Sequence, residues 1–146
     1  MAHVLGYVGD ISSDDIRRDK LLAELQNTQI GKTGIEKEFD YVLRGKPGIQ
    51  TQERDVKGKL VRILDTQGAE DGKDIYLTID QKLQDHLFKL FENRRGALVA
   101  LEPKTGLVRA LISSPSFNPN ILNSIVDTDE VESLFSNKES PIFNRA

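Results

Sequence analysis

The sequence of 146 residues contains no cysteine, and its two histidines, His3 and His86, stand far apart. The absence of cysteine excludes a disulfide framework and any thiolate metal site. Isolated histidines do not supply the clustered ligands that zinc sites need, so both are interpreted as structural or surface residues, and no metal or cofactor is expected. No apolar run approaches the roughly 18 residues of a membrane helix. The first residues, MAHVLGYVGDISS, also lack the basic region and apolar stretch of an export signal.

The chain also lacks a large excess of charge of either sign. The chain has 20 basic and 23 acidic residues, interspersed along its length, for a net charge of −3. This pattern argues against a nucleic-acid-binding surface, which needs clustered Lys and Arg. With 38% apolar and 29% charged residues and a mean hydropathy of −0.41, the composition is that of a globular protein with one ordinary domain or two small ones.

What is present, twice, is the tripeptide Lys-Thr-Gly, at residues 32–34 and 104–106. Lys-Thr-Gly lines the active site of serine acyl-transfer enzymes such as β-lactamases, where it accompanies Ser-x-x-Lys and a Ser-x-Asn type motif. No serine of this chain has a lysine three residues on. Without a nucleophile and its base neither copy can be catalytic, and no catalytic residue is predicted. A phosphate-binding loop at the first copy is also disfavoured, because Gln26 replaces the first glycine of that motif.

The first copy has the signals of a helix start. Thr33 and Glu36 fit a capping box, and Gly45 is a left-handed stop signal. Between them an apolar helical stripe is formed by Ile35, Phe39, Val42 and Leu43. Residues 32–34 are therefore interpreted as the beginning of a helix.

The second copy has the signals of a hairpin turn. Pro103 suits the second position of a type I turn, and Gly106 suits the positive φ that closes it. The flanking strands, residues 97–101 and 107–112, are apolar on both faces apart from Arg109. Strands buried on both faces belong to a sheet that is covered above and below, yet the rest of the chain is short and rich in proline. The last seventy or so residues are thus interpreted as the opening of an unfinished domain.

Two further groups of polar residues are weighed as sites. Ser113, Ser114 and Ser116 surround Pro115 without a nucleophile elbow or a nearby histidine, so a solvated loop or strand end is preferred. The acidic run lacks the glycine and the spacing of a calcium loop, and is interpreted as a solvated helix face. Its members are Asp127, Asp129, Glu130 and Glu132.

The remaining elements follow from periodicity and from capping and turn residues. Strands are predicted over residues 3–9, 49–55, 59–64 and 74–79, the middle two joined as a wet or protruding hairpin by residues 56–58. Helices are predicted over residues 14–26, 81–93 and 129–135. Asp80 is expected to cap the second of these helices, whose predicted stripe comprises Leu83, Leu87, Leu90 and Phe91. Residues 65–73 are expected to form a linker.

Four segments together carry a family resemblance: HVLGYVG, IGKTGIEKEFDYVLRGKPG, DIYLTIDQKLQ and GALVALEPKTGLVRALISSPSFNPN. In this order they resemble the class B penicillin-binding proteins, and most of all the penicillin-binding protein 2 type, the peptidoglycan transpeptidases of cell elongation. The likeness reaches PIFNRA at the end of the chain. In such enzymes the nucleophilic Ser-x-x-Lys follows that stretch shortly, so no catalytic residue of the family maps onto this sequence.

The resemblance implies an α+β fold in two parts. Residues 1–73 would be a partial pedestal, or dimerisation, domain, and residues 74–146 would be the start of a transpeptidase domain, with its first helix and β-hairpin. The longer protein would lie in the periplasm, anchored in the inner membrane, and would act on peptidoglycan stem peptides and be trapped by β-lactams. Its pedestal would dock proteins of the elongation machinery. This chain itself would be an inactive fragment that penicillin does not acylate.

Two alternatives stay open. One is a stand-alone interaction module with no enzymatic activity, which should cover the apolar hairpin that an unfinished enzyme exposes. The other is a fragment of the division-specific transpeptidase, since it is mainly HVLGYVG and the tail after SSPSFNPN that favour the elongation type.

Overall fold

The fold was obtained as a computed structural model, which describes residues 1–25, 29–92, 94–123 and 128–146. Its first elements are α1 (Ala2–Leu5), β1 (Val8–Asp10), α2 (Ser13–Arg18), a 3₁₀ turn (Lys20–Glu24) and β2 (Gln29–Gly31). β1 and β2 pair antiparallel, with Val8 opposite Gly31. The strand predicted over residues 3–9 is therefore correct only at its end. Residues 3–5 are helical, and the chain changes direction at Gly6, whose φ is 85°.

The helix predicted over residues 14–26 is also shorter than expected. It ends at Arg18, since Asp19 is extended, and the 3₁₀ turn follows. Ile16 and Leu22 are six positions apart, which is about 600° of helical rotation, so a continuous helix would direct them to different sides. The break lets Leu22 enter the core, where it is 8% exposed.

The stripe predicted from Ile35 to Leu43 forms two short helices, α3 (Gly34–Glu38) and α4 (Asp40–Leu43), which meet at a non-helical Phe39. Gly45 then takes the predicted left-handed conformation, with φ of 68°. The helical character of this region is confirmed, with one interruption.

The predicted wet hairpin is confirmed as β3 (Ile49–Arg54) and β4 (Leu60–Gln67), an antiparallel ribbon with two register shifts. The linker predicted at residues 65–73 is wrong. Its first residues belong to β4, Glu70 exchanges two backbone hydrogen bonds with Lys46, and the Lys73 amide donates to the carbonyl of Val42 at 2.9 Å. Gly72 makes this return possible, because a Cβ atom there would lie 1.8 Å from the carbonyl oxygen of Leu43.

The second half contains α5 (Gln81–Leu90) and the antiparallel pair β5 (Gly96–Leu101) and β6 (Val108–Ser114). The strand predicted over residues 74–79 is wrong. Side-chain exposure alternates there as a strand requires, but backbone pairing with β6 begins only at Asp80, whose amide donates to the carbonyl of Arg109 at 2.9 Å. A β-strand needs backbone hydrogen bonds to a neighbouring strand, and alternation of exposed and less exposed side chains does not provide them.

The apolar hairpin is covered on one face only. Ala110 and Ile112 are buried beside α5, whereas Val99 and Leu101 remain 46% and 57% exposed. The expectation of burial on both faces is therefore not met among the described residues. A 3₁₀ turn (Pro119–Leu122) and α6 (Thr128–Ser136), the latter close to prediction, precede the irregular tail. The mixed helix and strand fold confirms the α+β class.

Candidate functional site

The first Lys-Thr-Gly copy lies where β2 runs into α3. Thr33 is the extended N-cap residue of α3, which confirms the predicted helix start. The capping box is wrong, because the Thr33 side chain accepts no capping hydrogen bond. Lys32 instead forms an ion pair with Asp15 of α2, with 2.5 Å between Nζ and Oδ2 and about a fifth of each side chain exposed.

This ion pair is the strongest electrostatic feature of the region. The Lys32 ammonium and, after it, the Ser12 hydroxyl and amide donate hydrogen bonds to the Asp15 carboxylate. Together they hold the pKa of the Asp15 carboxyl well below its usual range. Ser12 is also the N-cap of α2, in a capping box with Asp15. The ion pair of Lys32 with Asp15 therefore connects the start of α2 to the segment between β2 and α3.

The glycine of the same copy is needed for packing. Gly34 has φ of 59°, and a Cβ atom there would lie 2.6 Å from the carbonyl oxygen of Val4. Gly6 approaches from the other side, where a Cβ atom would lie 1.9 Å from the carbonyl oxygen of Thr33. Two segments that the sequence presents separately, HVLGYVG and GKTG, thus meet through their glycines, without space for a ligand between them.

The second copy forms the predicted turn between β5 and β6. Gly106 has φ of 74°, and its amide donates to the carbonyl of Glu102 at 2.8 Å. The Thr105 hydroxyl donates to the Glu102 carboxylate at 2.9 Å, and the Arg109 guanidinium donates to the same oxygen at 2.7 Å. Hydrogen bonds from Arg109 first and Thr105 second lower the pKa of the Glu102 carboxyl. The polar groups of this copy therefore stabilise the turn.

The three candidate serines end β6 and start the segment after it. Ser114 is 7% exposed and donates to the carbonyl of Arg94 at 2.7 Å. Ser113 is 4% exposed; its hydroxyl donates to the carbonyl of Phe143 at 3.4 Å and accepts from the Arg145 amide at 3.1 Å. Ser116 is partly exposed. The strand-end interpretation is confirmed for Ser113 and Ser114, which end β6, but both are buried and not solvated, and they hold neighbouring backbone in place.

In the described residues, neither histidine belongs to a cluster of metal-ligand side chains. Across the four described ranges, no three His, Cys, Asp or Glu side chains cluster as a metal site would require. His86 is exposed on α5, and Glu130 and Glu132 lie on α6. Asp127 of the acidic run lies outside the described residues, as do Gln26 and the predicted helix end at residue 93.

His3 is the more informative histidine. Its ring makes an edge-to-face contact with Phe117, with ring centroids 5.3 Å apart. Burial is the main cause that lowers the pKa of the His3 imidazole, and it outweighs the opposite effect of the Pro115 carbonyl. Sequence reasoning missed the contact between His3 and Phe117, because no signal near residue 3 predicts a contact with a segment more than a hundred residues away.

Gln84 was missed for a different reason. It is 2% exposed, and its side-chain amide makes two hydrogen bonds with the backbone of Leu111: Nε2 donates to the carbonyl at 2.7 Å, and Oε1 accepts from the amide at 2.9 Å. The predicted apolar stripe of α5 placed Leu83 and Leu90 toward the core, but they are 36% and 57% exposed. The face that packs on β6 is instead centred on a glutamine.

The exposed apolar surface of the chain is concentrated on the β3–β4 ribbon. Four aliphatic residues of β4 are 45–59% exposed: Leu60, Val61, Ile63 and Leu64. They form two pairs of consecutive residues, and the two register shifts of the ribbon leave Val61 and Leu64 without a directly paired residue on β3. In the described residues, this ribbon is the extended surface best suited to contact another polypeptide.

A family model described as the penicillin-binding protein dimerisation domain matches residues 1–77. The chain is 40% identical over 146 residues to the peptidoglycan D,D-transpeptidase MrdA of Acinetobacter baumannii, covering 99% of this chain and 22% of that protein. It is 37% identical over 150 residues to MrdA of Escherichia coli K12, covering 100% of this chain and 24% of that protein.

Among solved structures, the complex between the penicillin-binding protein PBP2 and MreC from Helicobacter pylori superposes with a TM-score of 0.81. Sequence identity in that comparison is 30%, over 99% of this chain and 27% of the solved chain. This chain therefore spans about a quarter of the length of the relatives that it resembles.

Proposed function

Because the chain belongs to the penicillin-binding protein dimerisation-domain family, we propose that it acts as the pedestal portion of a peptidoglycan D,D-transpeptidase of the cell-elongation type. The observation that carries the proposal is the coverage of this chain: 99–100% of it matches MrdA of Acinetobacter baumannii and of Escherichia coli K12, at 40% and 37% identity. Neither the stand-alone module nor the division-specific enzyme is better supported by these comparisons.

The proposed boundary between the two parts lies near residue 73. The family model ends close to it, at residue 77, and α5 packs on β6 as a separate helix-and-hairpin unit after it. The exposed faces of Val99 and Leu101 support the assignment of residues 74–146 to the opening of a larger sheet. In the longer protein, further strands and helices would cover that face.

The proposed chemistry belongs to the longer protein. A serine hydroxyl would attack the carbonyl carbon of the D-Ala-D-Ala bond, the terminal D-Ala would leave, and the acyl-enzyme would pass its acyl group to an amine of a neighbouring stem peptide. This chain contains no Ser-x-x-Lys motif, and its Lys32 and Thr105 are engaged in structural contacts. Its role in the reaction is therefore to support the catalytic domain. We expect penicillin to leave the 146-residue chain unmodified by intact-mass spectrometry.

The proposed partner is the elongation machinery. The Helicobacter pylori relative was solved in complex with MreC, which supports a pedestal that docks such proteins. The aliphatic ribbon β3–β4 is a surface that such docking could cover. We place the longer protein in the periplasm, anchored in the inner membrane. No helix in the described portion is long and apolar enough to cross a membrane.

A segment-exchange experiment tests the proposal. The 150 aligned residues of Escherichia coli MrdA are replaced by this chain, and the chimera is expressed in cells depleted of their own MrdA. We expect rod shape to be restored. Labelling of the chimera by fluorescent penicillin serves as the control for a folded catalytic domain. A chimera that labels normally yet leaves the cells round would contradict a pedestal role of the elongation type.

A further inference from the structure

Helix α1 stands between the two parts of the chain. Toward the first part, Gly6 at its end packs against the backbone of Thr33 and Gly34. Toward the second part, Ala2 and His3 line a narrow cleft together with Ile112 of β6. Ala2 is 5% exposed, so this second contact is closed to solvent. A helix of four residues thus touches both parts at once.

The His3 side chain of α1 contacts the second part of the chain through its ring. Besides its contact with Phe117, its ring lies near the carbonyls of Pro115, which follows β6, and Pro141, which starts the tail. Its Nε2 atom is buried and makes no hydrogen bond within the described residues, so neither carbonyl satisfies it. A neutral ring can leave one nitrogen lone pair unpaired at modest cost, whereas an imidazolium at this place loses hydration, and that loss outweighs the attraction of the two carbonyls.

The tail next to His3 is joined to β6 by the side chain of Ser113, which bonds to the backbone of Phe143 and Arg145. The Arg145 guanidinium bonds within the tail, to the carbonyls of Ser140 and Phe143 at 3.1 and 3.0 Å and to that of Glu139. Pro141 of the tail is buried. The contact between the tail and the end of β6 therefore lies beside the His3 ring.

A positive charge faces His3. Arg145 lies on the tail side, and its guanidinium opposes protonation of the imidazole. A proton on His3 would add a second positive charge to this partly buried site. Coulomb repulsion and the lost hydration of the ring then act in the same direction.

We propose that α1 is a bracket that couples the two parts of the chain, and that protonation of the His3 imidazole loosens this bracket from the end of β6 and from the tail. The inference goes beyond the proposed function and does not depend on it. Within a longer transpeptidase, the same bracket would link the pedestal to the segment that leads toward the catalytic serine.

The direction of the pH effect follows from linkage. Because burial lowers the pKa of His3 in the folded chain, the folded state binds this proton less readily than the unfolded chain does. The stability of the α1 contacts is therefore fully present above the ordinary histidine pKa of 6.5. It decreases as the pH falls below that value toward the folded pKa of His3.

An NMR titration of the full chain, followed through histidine ring and backbone amide signals, tests the proposal. The variant His86→Gln keeps His3 as the single histidine, so its ring signals are unambiguous. Between pH 7.5 and pH 5, we expect the His3 ring to titrate with a midpoint below 6.5. The amide signals of Arg145 and Gly34 should shift with the same midpoint, and that of Gly58 in the β3–β4 turn should stay fixed.

Two outcomes would overturn the bracket. One is a His3 midpoint at or above 6.5; the other is a His3 titration during which Arg145 and Gly34 do not move. A chain that also carries His3→Gln should show no shift at these amides over the same pH range. If that chain does not fold, the titration of the His86→Gln chain alone still decides between the outcomes.

Discussion

Replacement of Gln84 by leucine tests whether the helix-and-hairpin unit depends on one buried amide. Leucine has a similar size and favours helix, but it cannot bond to Leu111, so the amide and the carbonyl of Leu111 lose their partners in a site that is 2% exposed. Each unsatisfied buried group costs about 1–3 kcal/mol. The gain from a more apolar side chain offsets part of this cost. We expect Gln84→Leu to lower the free energy of unfolding by about 2–4 kcal/mol.

Urea unfolding followed by circular dichroism measures this change. Gln81→Leu is the matched control, because Gln81 starts the same helix and is exposed. The control should change stability by less than about 0.5 kcal/mol. A Gln84→Leu chain as stable as the control would refute the view that these two hydrogen bonds hold α5 on β6.

Gln84→Glu separates hydrogen bonding from packing. An ionised carboxylate still accepts from the Leu111 amide, but it places a second acceptor against the Leu111 carbonyl. A protonated carboxyl restores one donor and one acceptor, as in glutamine. The folded state therefore favours the protonated form and raises the pKa of this group. Stability should be regained as the pH falls through that raised value, and a loss of packing alone would show no such recovery.

Two further predictions concern the first Lys-Thr-Gly copy. Gly34→Ala should lower the free energy of unfolding by more than about 2 kcal/mol, since it combines a positive φ with a clash against the Val4 carbonyl. The control Gly58→Ala has φ of 79° and open space around it, so it should lose only about 1–2 kcal/mol from backbone strain. Equal losses of stability in urea unfolding would contradict the packing argument. Asp15→Asn should remove the stability that the ionised Asp15 carboxylate provides. Because Lys32 lowers the pKa of Asp15, this stability is present above the ordinary value of 3.8 and is lost as the pH falls below that value. An unchanged pH profile of the melting temperature would refute that assignment.

Much of the fold follows from local chemistry. The Asp80 cap of α5 is confirmed by its hydrogen bond to the Leu83 amide at 3.0 Å, and the turn glycines Gly58 and Gly106 both have positive φ. These signals act within four or five residues, so a sequence displays them directly. The hairpins β3–β4 and β5–β6 were predictable for the same reason.

The predictions that were wrong depend on distant partners. Residues 74–79 alternate as a strand should, but their hydrogen-bonding neighbour is decided elsewhere in the fold. The linker at residues 65–73 was inferred from its glycines and acidic residues, yet Gly72 is present because the chain returns against Leu43. A glycine that permits close contact and a glycine that permits flexibility look alike in a sequence.

The same ambiguity explains the repeated Lys-Thr-Gly. In serine acyl-transfer sites the three residues act together with a nucleophile and its base, so the motif has chemistry only where those partners converge. Here Lys32 pairs with Asp15 and Gly34 packs on Gly6, while Thr105 bonds to Glu102 inside its own turn. The two copies share residue types but no geometry, because threonine is also favoured at helix N-caps and glycine in hairpin turns. A three-residue match predicts function only when the structure brings its partner motifs to the same place.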